Sequence, residues 1–319
     1  MESLASLEPE IGRLMDQISQ IHEGDVADYI PELGTANPDH FGVSFLTTKM
    51  ESLDFGNSDV WFTAQSISKV ICYLVAQEVC GEELTHASIG HEPSGHSFNE
   101  ITLDSNRRPH NPMINAGGLM SVALILNEAG SNSIKVILDF WSRIAATDDL
   151  GIDGKVYESE RRNGHRNYAL AHFMKEHCNI QGQWGAVEIA ELYFLTCSVL
   201  QNTKILAKVA STLANGGIQP ETGEVVFSSK SVRNSLALML SSGMYDYSGQ
   251  FAFEIGMPAK SGVSGCMIVV LPDSLGLAIY SPRVDRYGNS VRGVRLCEGL
   301  VRSQNLHILD NFKSGSTAG

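Results

Sequence analysis

Apolar residues return at Leu4, Leu7, Ile11, Leu14, Met15, Ile18 and Ile21. That spacing marks one face of a helix, and Gly24 closes the run. Phe41–Leu46 and Val60–Thr63 carry the short apolar and aromatic runs of strands. Val70–Ala76 is apolar at nearly every position, as in a buried helix, and Leu119–Leu126 repeats the pattern. Glu191–Ser198 sets Tyr193 on an apolar helix, and Ile205–Ala210 leads to Asn215-Gly216-Gly217, a helix stop. Cys266–Leu271 and Leu275–Ser281, joined by Pro272-Asp273-Ser274, predict a β-hairpin. Strands at both ends of a mostly helical middle predict an α/β chain of the α+β type. One antiparallel sheet would be built from distant segments, with an all-helical subdomain inserted and a site in the crevice between them. The expected organisation is a single domain over residues 1–319. Its sheet part covers approximately 1–65 and 246–310, its helical part approximately 66–245, and 311–319 forms a flexible tail.

Composition narrows the partners. A formal charge of −13 and a pI near 5.2 argue against nucleic acid and against an anionic membrane, since both need basic patches. No apolar stretch approaches the roughly 20 residues of a membrane helix. Met1-Glu2-Ser3-Leu4-Ala5 is unlike a secretory or Arg-rich transit segment. Cytoplasm is the expected compartment, and a processed mitochondrial protein would look the same. Cys72, Cys80, Cys178, Cys197, Cys266 and Cys297 form no Cys-x-x-Cys, lie mostly in apolar stretches and are expected to be free buried thiols. His91 and His96 are five apart with Pro93 and Gly95 between them. The i, i+4 pair of a zinc helix is not formed, and no metal is expected.

The candidate chemistry begins at Gln65-Ser66-Ile67-Ser68-Lys69. A serine hydroxyl needs a neighbour to take its proton, and at i and i+3 on a helix the Lys69 amine can reach Ser66. Ser-x-x-Lys marks penicillin-recognising serine enzymes, yet a chain of this composition holds roughly one by chance. A second element of that set, Lys-(Ser/Thr)-Gly on a strand, occurs twice. Lys313-Ser314-Gly315 lies in the polar terminal run. Lys260-Ser261-Gly262 leads into the predicted hairpin, where small residues let backbone N–H groups approach a ligand. The third element, Ser-Asp-Asn, is absent.

Four further segments stand out: Pro109–Gly118, Tyr157–Asn167, Glu191–Ser198 and Gly243–Phe253. Each has a bland reading. Asn115 would cap a helix, Glu160 would pair with Arg161, Arg162 or Arg166 on the surface, and Asn167 would sit in a turn. Tyr29 and Tyr193 would be core aromatics, and Lys260 a strand-end charge. Glu160 and Asn167 are seven apart, the separation of two helical turns. Tyr245 and Tyr247 compete for one role.

With these segments in their order and spacing, from Ala27-Asp28-Tyr29-Ile30-Pro31 to Gly288–Gly293, the chain resembles the serine-dependent glutaminases. The resemblance implies a β-lactamase/transpeptidase-like fold and hydrolysis of L-glutamine to L-glutamate and ammonia without metal or organic cofactor. It also implies a homodimer or homotetramer. By resemblance, Ser66 is the acyl-forming nucleophile, Lys69 its proton acceptor and Tyr245 the proton-relaying hydroxyl. The N–H groups of Ser66 and Val263 form the oxyanion hole. Tyr29, Asn115, Glu160, Asn167 and Tyr193 hold the α-amino and α-carboxylate groups. Gly118 departs from the family's usual alanine, a difference expected to touch helix packing. Lys69 must be neutral to act as a base, so burial or a nearby cation must depress it, and Lys260 is a candidate for that cation. The rival readings are a penicillin-recognising serine hydrolase and a catalytically silent amino-acid-binding scaffold.

Overall fold

The computed structural model describes residues 4–178, 180 and 182–310; Lys313-Ser314-Gly315 lies outside them. Five strands form the main sheet: β1 (Gly42–Thr47), β2 (Ser52–Gly56), β3 (Ala259–Gly262), β4 (Cys266–Leu271) and β5 (Leu275–Tyr280). Their order is β2-β1-β5-β4-β3, and every neighbouring pair is antiparallel. Gly42 pairs with Tyr280 and Lys260 with Ile268, so the two ends of the chain meet in one sheet. The predicted hairpin is β4 and β5, turning through Asp273 at a positive φ. β2 was not foreseen: Ser-Leu-Asp-Phe-Gly alternates weakly and lies on the sheet's edge, exposed at every other position. Of the predicted strand at 60–63 only Phe62–Thr63 is extended, paired with Leu200–Gln201.

Helices cover the sheet on both faces. α1 (Leu4–Ser19) buries Leu4, Leu7, Ile11, Met15 and Ile18, the predicted stripe, in one core with the C-terminal helix Val291–Gln304. On the other face Thr203–Ala214 packs on the hairpin. Gly276 permits the close approach, because a Cβ there would lie 2.1 Å from the Ser211 backbone nitrogen.

The helical part of the chain is built around two helices that are apolar on nearly all sides, Ser68–Cys80 and Asn115–Ala129. A helix without a polar face must be surrounded by protein, and these two share one core with Trp141, Phe194 and Phe227. An antiparallel sheet flanked by helices, with further helices between its second and third strands, is the expected fold class. The segment from His91 to His96 is not helical.

Candidate active site

Ser66 lies in a short 3₁₀ turn, Gln65–Ile67, that runs directly into Ser68–Cys80. The turn puts Lys69 on the first coil of the helix beneath the serine, and Lys69 Nζ donates to Ser66 Oγ at 2.6 Å. Ser66 is 6% exposed and Lys69 is fully enclosed. Burial lowers the Lys69 amine to about 8, while Cys197 and Glu160 pull it the other way. Burial, one of the two causes expected, is the largest cause of this shift. Lys260 is itself pushed well below the ordinary lysine range, first by burial and then by Lys69. Its Nζ donates to the carbonyls of Gly243 (3.1 Å) and Ser261 (2.7 Å) and sits 4.3 Å from the centre of the Tyr245 ring.

Tyr245 is buried, and its hydroxyl donates to the Ser261 carbonyl at 3.0 Å. Burial raises its pKa, opposed by the neighbouring Ser66 hydroxyl. Tyr247 bonds Glu254 and stacks on Tyr287, so of the two competing tyrosines only Tyr245 reaches the serine. Gln65 and Tyr245 both adopt positive φ, +46° and +54°. Such backbone costs about 1–3 kcal/mol per residue and persists only where surroundings enforce it.

A cavity of about 290 Å³ opens above Ser66, and Tyr29, Asn115, Glu160, Asn167, Tyr193 and Val263 all line it. Glu160 is 4% exposed, and burial raises its pKa. The neighbouring arginines are engaged elsewhere: Arg161 with Glu158 and Glu191, Arg162 with Glu158, and Arg166 with the Asn99 carbonyl. Tyr29 is half exposed along its ring, yet its hydroxyl lies 2.6 Å from Glu160 Oε1 and 2.9 Å from Gln65 Oε1. Asn115 makes no cap; its Nδ2 donates to Asn167 Oδ1 at 2.9 Å, and the Tyr193 hydroxyl donates to Asn115 Oδ1 at 3.4 Å.

Glu160 and Asn167 do not share one helix. The chain breaks at Gly164, between Gly154–Asn163 and His165–His177, and a Cβ there would meet the Phe194 ring at 2.5 Å. Gly118 does more than ease helix packing. A Cβ at that position would be 2.9 Å from Tyr193 Cε2 and 3.2 Å from Lys69 Cγ. Its missing side chain bears on the seat of the lysine as well as on helix packing.

Four further residues line the cavity that the sequence did not single out: Gln65, Phe98, Asn99 and Cys197. Gln65 adjoins Ser66 and was open to notice. Cys197 is the buried thiol expected, but it lies in the cavity wall, one helical turn from Tyr193 and 3.8 Å from Ser68 Oγ. Phe98 lines this cavity and packs on Tyr245 with ring centres 4.5 Å apart. It comes from an irregular loop that carries no periodic signal.

Comparison places this geometry among known proteins. The glutaminase family model matches residues 24–309. The chain is 42% identical over 304 residues to glutaminase 1 of Bradyrhizobium diazoefficiens, covering 95% of this chain and 49% of that protein. It is 40% identical over 307 residues to the glutaminase of Nostoc sp., covering 96% and 91%. The native form of the solved protein Mglu superposes with a TM-score of 0.91 at 37% identity, over 96% of this chain and 75% of that one. The chain thus spans about half the length of the Bradyrhizobium relative and nearly all of the Nostoc one.

Proposed function

The chain belongs to the glutaminase family, and from that premise we propose that it hydrolyses L-glutamine to L-glutamate and ammonia. Ser66 Oγ attacks the side-chain carboxamide carbon while Lys69 takes the hydroxyl proton. The backbone N–H groups of Ser66 and Val263 hold the oxyanion. Ammonia leaves after protonation through the Lys69 and Tyr245 groups, and water then cleaves the γ-glutamyl ester. Glu160 pairs with the α-ammonium, and Asn115, Asn167, Tyr193 and Tyr29 hold the amino-acid end of the substrate.

The observation that carries the reading is the enclosed Lys69 amine 2.6 Å from Ser66 Oγ, at the base of a cavity that also holds the buried carboxylate Glu160. A lysine depressed to about 8 has the affinity for protons that a general base needs near neutrality. Mglu has been solved in a glutamate form, which supports glutamate as a ligand here. The same proposal has the enzyme acting in the cytoplasm as a homodimer or homotetramer; two mammalian relatives are named as mitochondrial.

The test is ammonia release from glutamine by the native protein and by Ser66→Ala, with labelling by a diazo-ketone analogue of glutamine. Release by the native protein alone, with the label on Ser66, is expected. Turnover of a chromogenic β-lactam without glutamine turnover would transfer the protein to the penicillin-recognising class. Glutamine binding with no turnover of either substrate would make it a silent scaffold.

A further inference from the structure

A second and larger cavity, of about 640 Å³, shares a wall with the one above Ser66. The same segments line both: Tyr29 faces one cavity and Pro31 the other, as do Gln65 and Thr63, and Glu160 and Val156. Between them sits a small apolar cluster of Ile30, Leu33 and Val156, against which Ala27 and Val263 pack. The volume falls in the range of small-molecule sites.

Its chemistry is specific. The aromatic side is Phe62 stacked on Tyr280, ring centres 4.2 Å apart, together with Trp61, which is 47% exposed. Glu32 and Lys155 line the same cavity. Neither side chain has a hydrogen-bond or ion-pair partner among the described residues, and Glu32 Oε2 is buried without one. The nearby Asp153 carboxylate is occupied in capping the Lys155 and Val156 N–H groups. Opposite charges that line one cavity without pairing, beside an aromatic wall, match a zwitterion with a flat apolar side chain. An ammonium would fill the unused acceptor capacity of Glu32, a carboxylate would meet Lys155, and a ring would pack on Trp61.

We propose that this cavity is a second binding site, for a free α-amino acid with an aromatic side chain, separate from the cavity above Ser66. The inference goes beyond the glutaminase reading and does not depend on it.

The test is calorimetric titration with L-phenylalanine of the full chain and of Trp61→Ala, Lys155→Ala, Glu32→Gln and Glu160→Gln. Saturable binding is expected, weakened about tenfold or more in the first three variants and unchanged in Glu160→Gln. Phenethylamine and 3-phenylpropanoate, which each lack one charge, are expected to bind at least about tenfold more weakly. Near-ultraviolet circular dichroism checks that each variant is folded. Absence of saturable binding overturns the proposal, as does undiminished binding by Trp61→Ala and Lys155→Ala. Loss of binding in Glu160→Gln would place the ligand above Ser66 and overturn it too. Equal binding of phenethylamine would refute the zwitterion. If L-phenylalanine binds as expected while glutamine is not hydrolysed, the glutaminase reading fails and this one stands.

Discussion

The Tyr29 hydroxyl lies 2.6 Å from Glu160 Oε1, joining residues 131 positions apart in the chain. A carboxylate this enclosed, with its neighbouring arginines turned to other partners, is costly to keep ionised. Tyr29 and Gln65 offset part of that cost by hydrogen bonding. The arrangement leaves a negative charge in the cavity that a ligand ammonium would neutralise.

Glu160→Gln is therefore expected to raise KM for glutamine sharply and to weaken inhibition by glutamate. The loss in kcat/KM should be about 2 kcal/mol or more, as when one partner of a buried charge pair is truncated. Because burial holds the Glu160 pKa up, glutamine affinity of the native protein should fall as the pH drops and the carboxyl takes a proton. Steady-state kinetics across the acid range check both. Unchanged glutamine kinetics in Glu160→Gln would remove its role.

Tyr29→Phe leaves the ring and removes only the hydroxyl. With that hydrogen bond gone, the Glu160 pKa should rise further, since the Tyr29 bond is what chiefly lowers it. The expected result is a smaller rise in KM than in Glu160→Gln, with its onset at a higher pH than in the native protein. An identical pH dependence in Tyr29→Phe and native protein would show that the tyrosine does not tune the acid.

Much of this layout was legible in the chain, for reasons that differ between elements. The stripe from Leu4 to Ile18 and the two all-apolar helices carry strong periodic or compositional signals, and each fixes its burial locally. Ser66 and Lys69 were legible because their contact is set by helical spacing alone. The contact between Tyr29 and Glu160 was not, because it depends on how distant segments dock. The break at Gly164 escaped notice because seven residues fit two helical turns equally well on paper. The weight of burial against a neighbouring cation at Lys69 could not be read from the chain, because desolvation depends on a three-dimensional neighbourhood; in the fold, burial is the largest cause.

The two tyrosines of the Gly243–Phe253 segment can be told apart. Tyr245 is held neutral by burial and reaches Ser66, so it can act as a proton donor. Tyr247 is tied to Glu254 at the edge of the molecule. Tyr245→Phe should lower kcat by a factor of about 10² or more, with little change in KM, while Tyr247→Phe should stay near native activity. A fully active Tyr245→Phe protein would mean that no proton passes through this hydroxyl.

Lys69 links activity to stability through one pKa. Neutral amine increases as the pH rises through about 8, so kcat/KM should climb through that range to a plateau or an alkaline optimum. The same depression works against the fold. An unfolded lysine titrates near 10.5, so below about pH 8 the native state must keep a proton on an enclosed amine. The cost there is on the order of 3 kcal/mol. Between about 8 and 10.5 the unfolded chain binds the extra proton and the folded one does not, so the penalty fades as the pH rises, and above 10.5 it is gone. Lys69→Met, close in length and without the charge, should therefore be inactive yet melt a few degrees higher than the native protein at pH 6 to 7. The gap should narrow as the pH is raised toward 10. Thermal melts of both proteins across that range, beside a kcat/KM profile of the native one, measure the two consequences together. A Lys69→Met protein that is less stable at neutral pH, or a native profile flat through pH 8, would show that burial does not depress the amine.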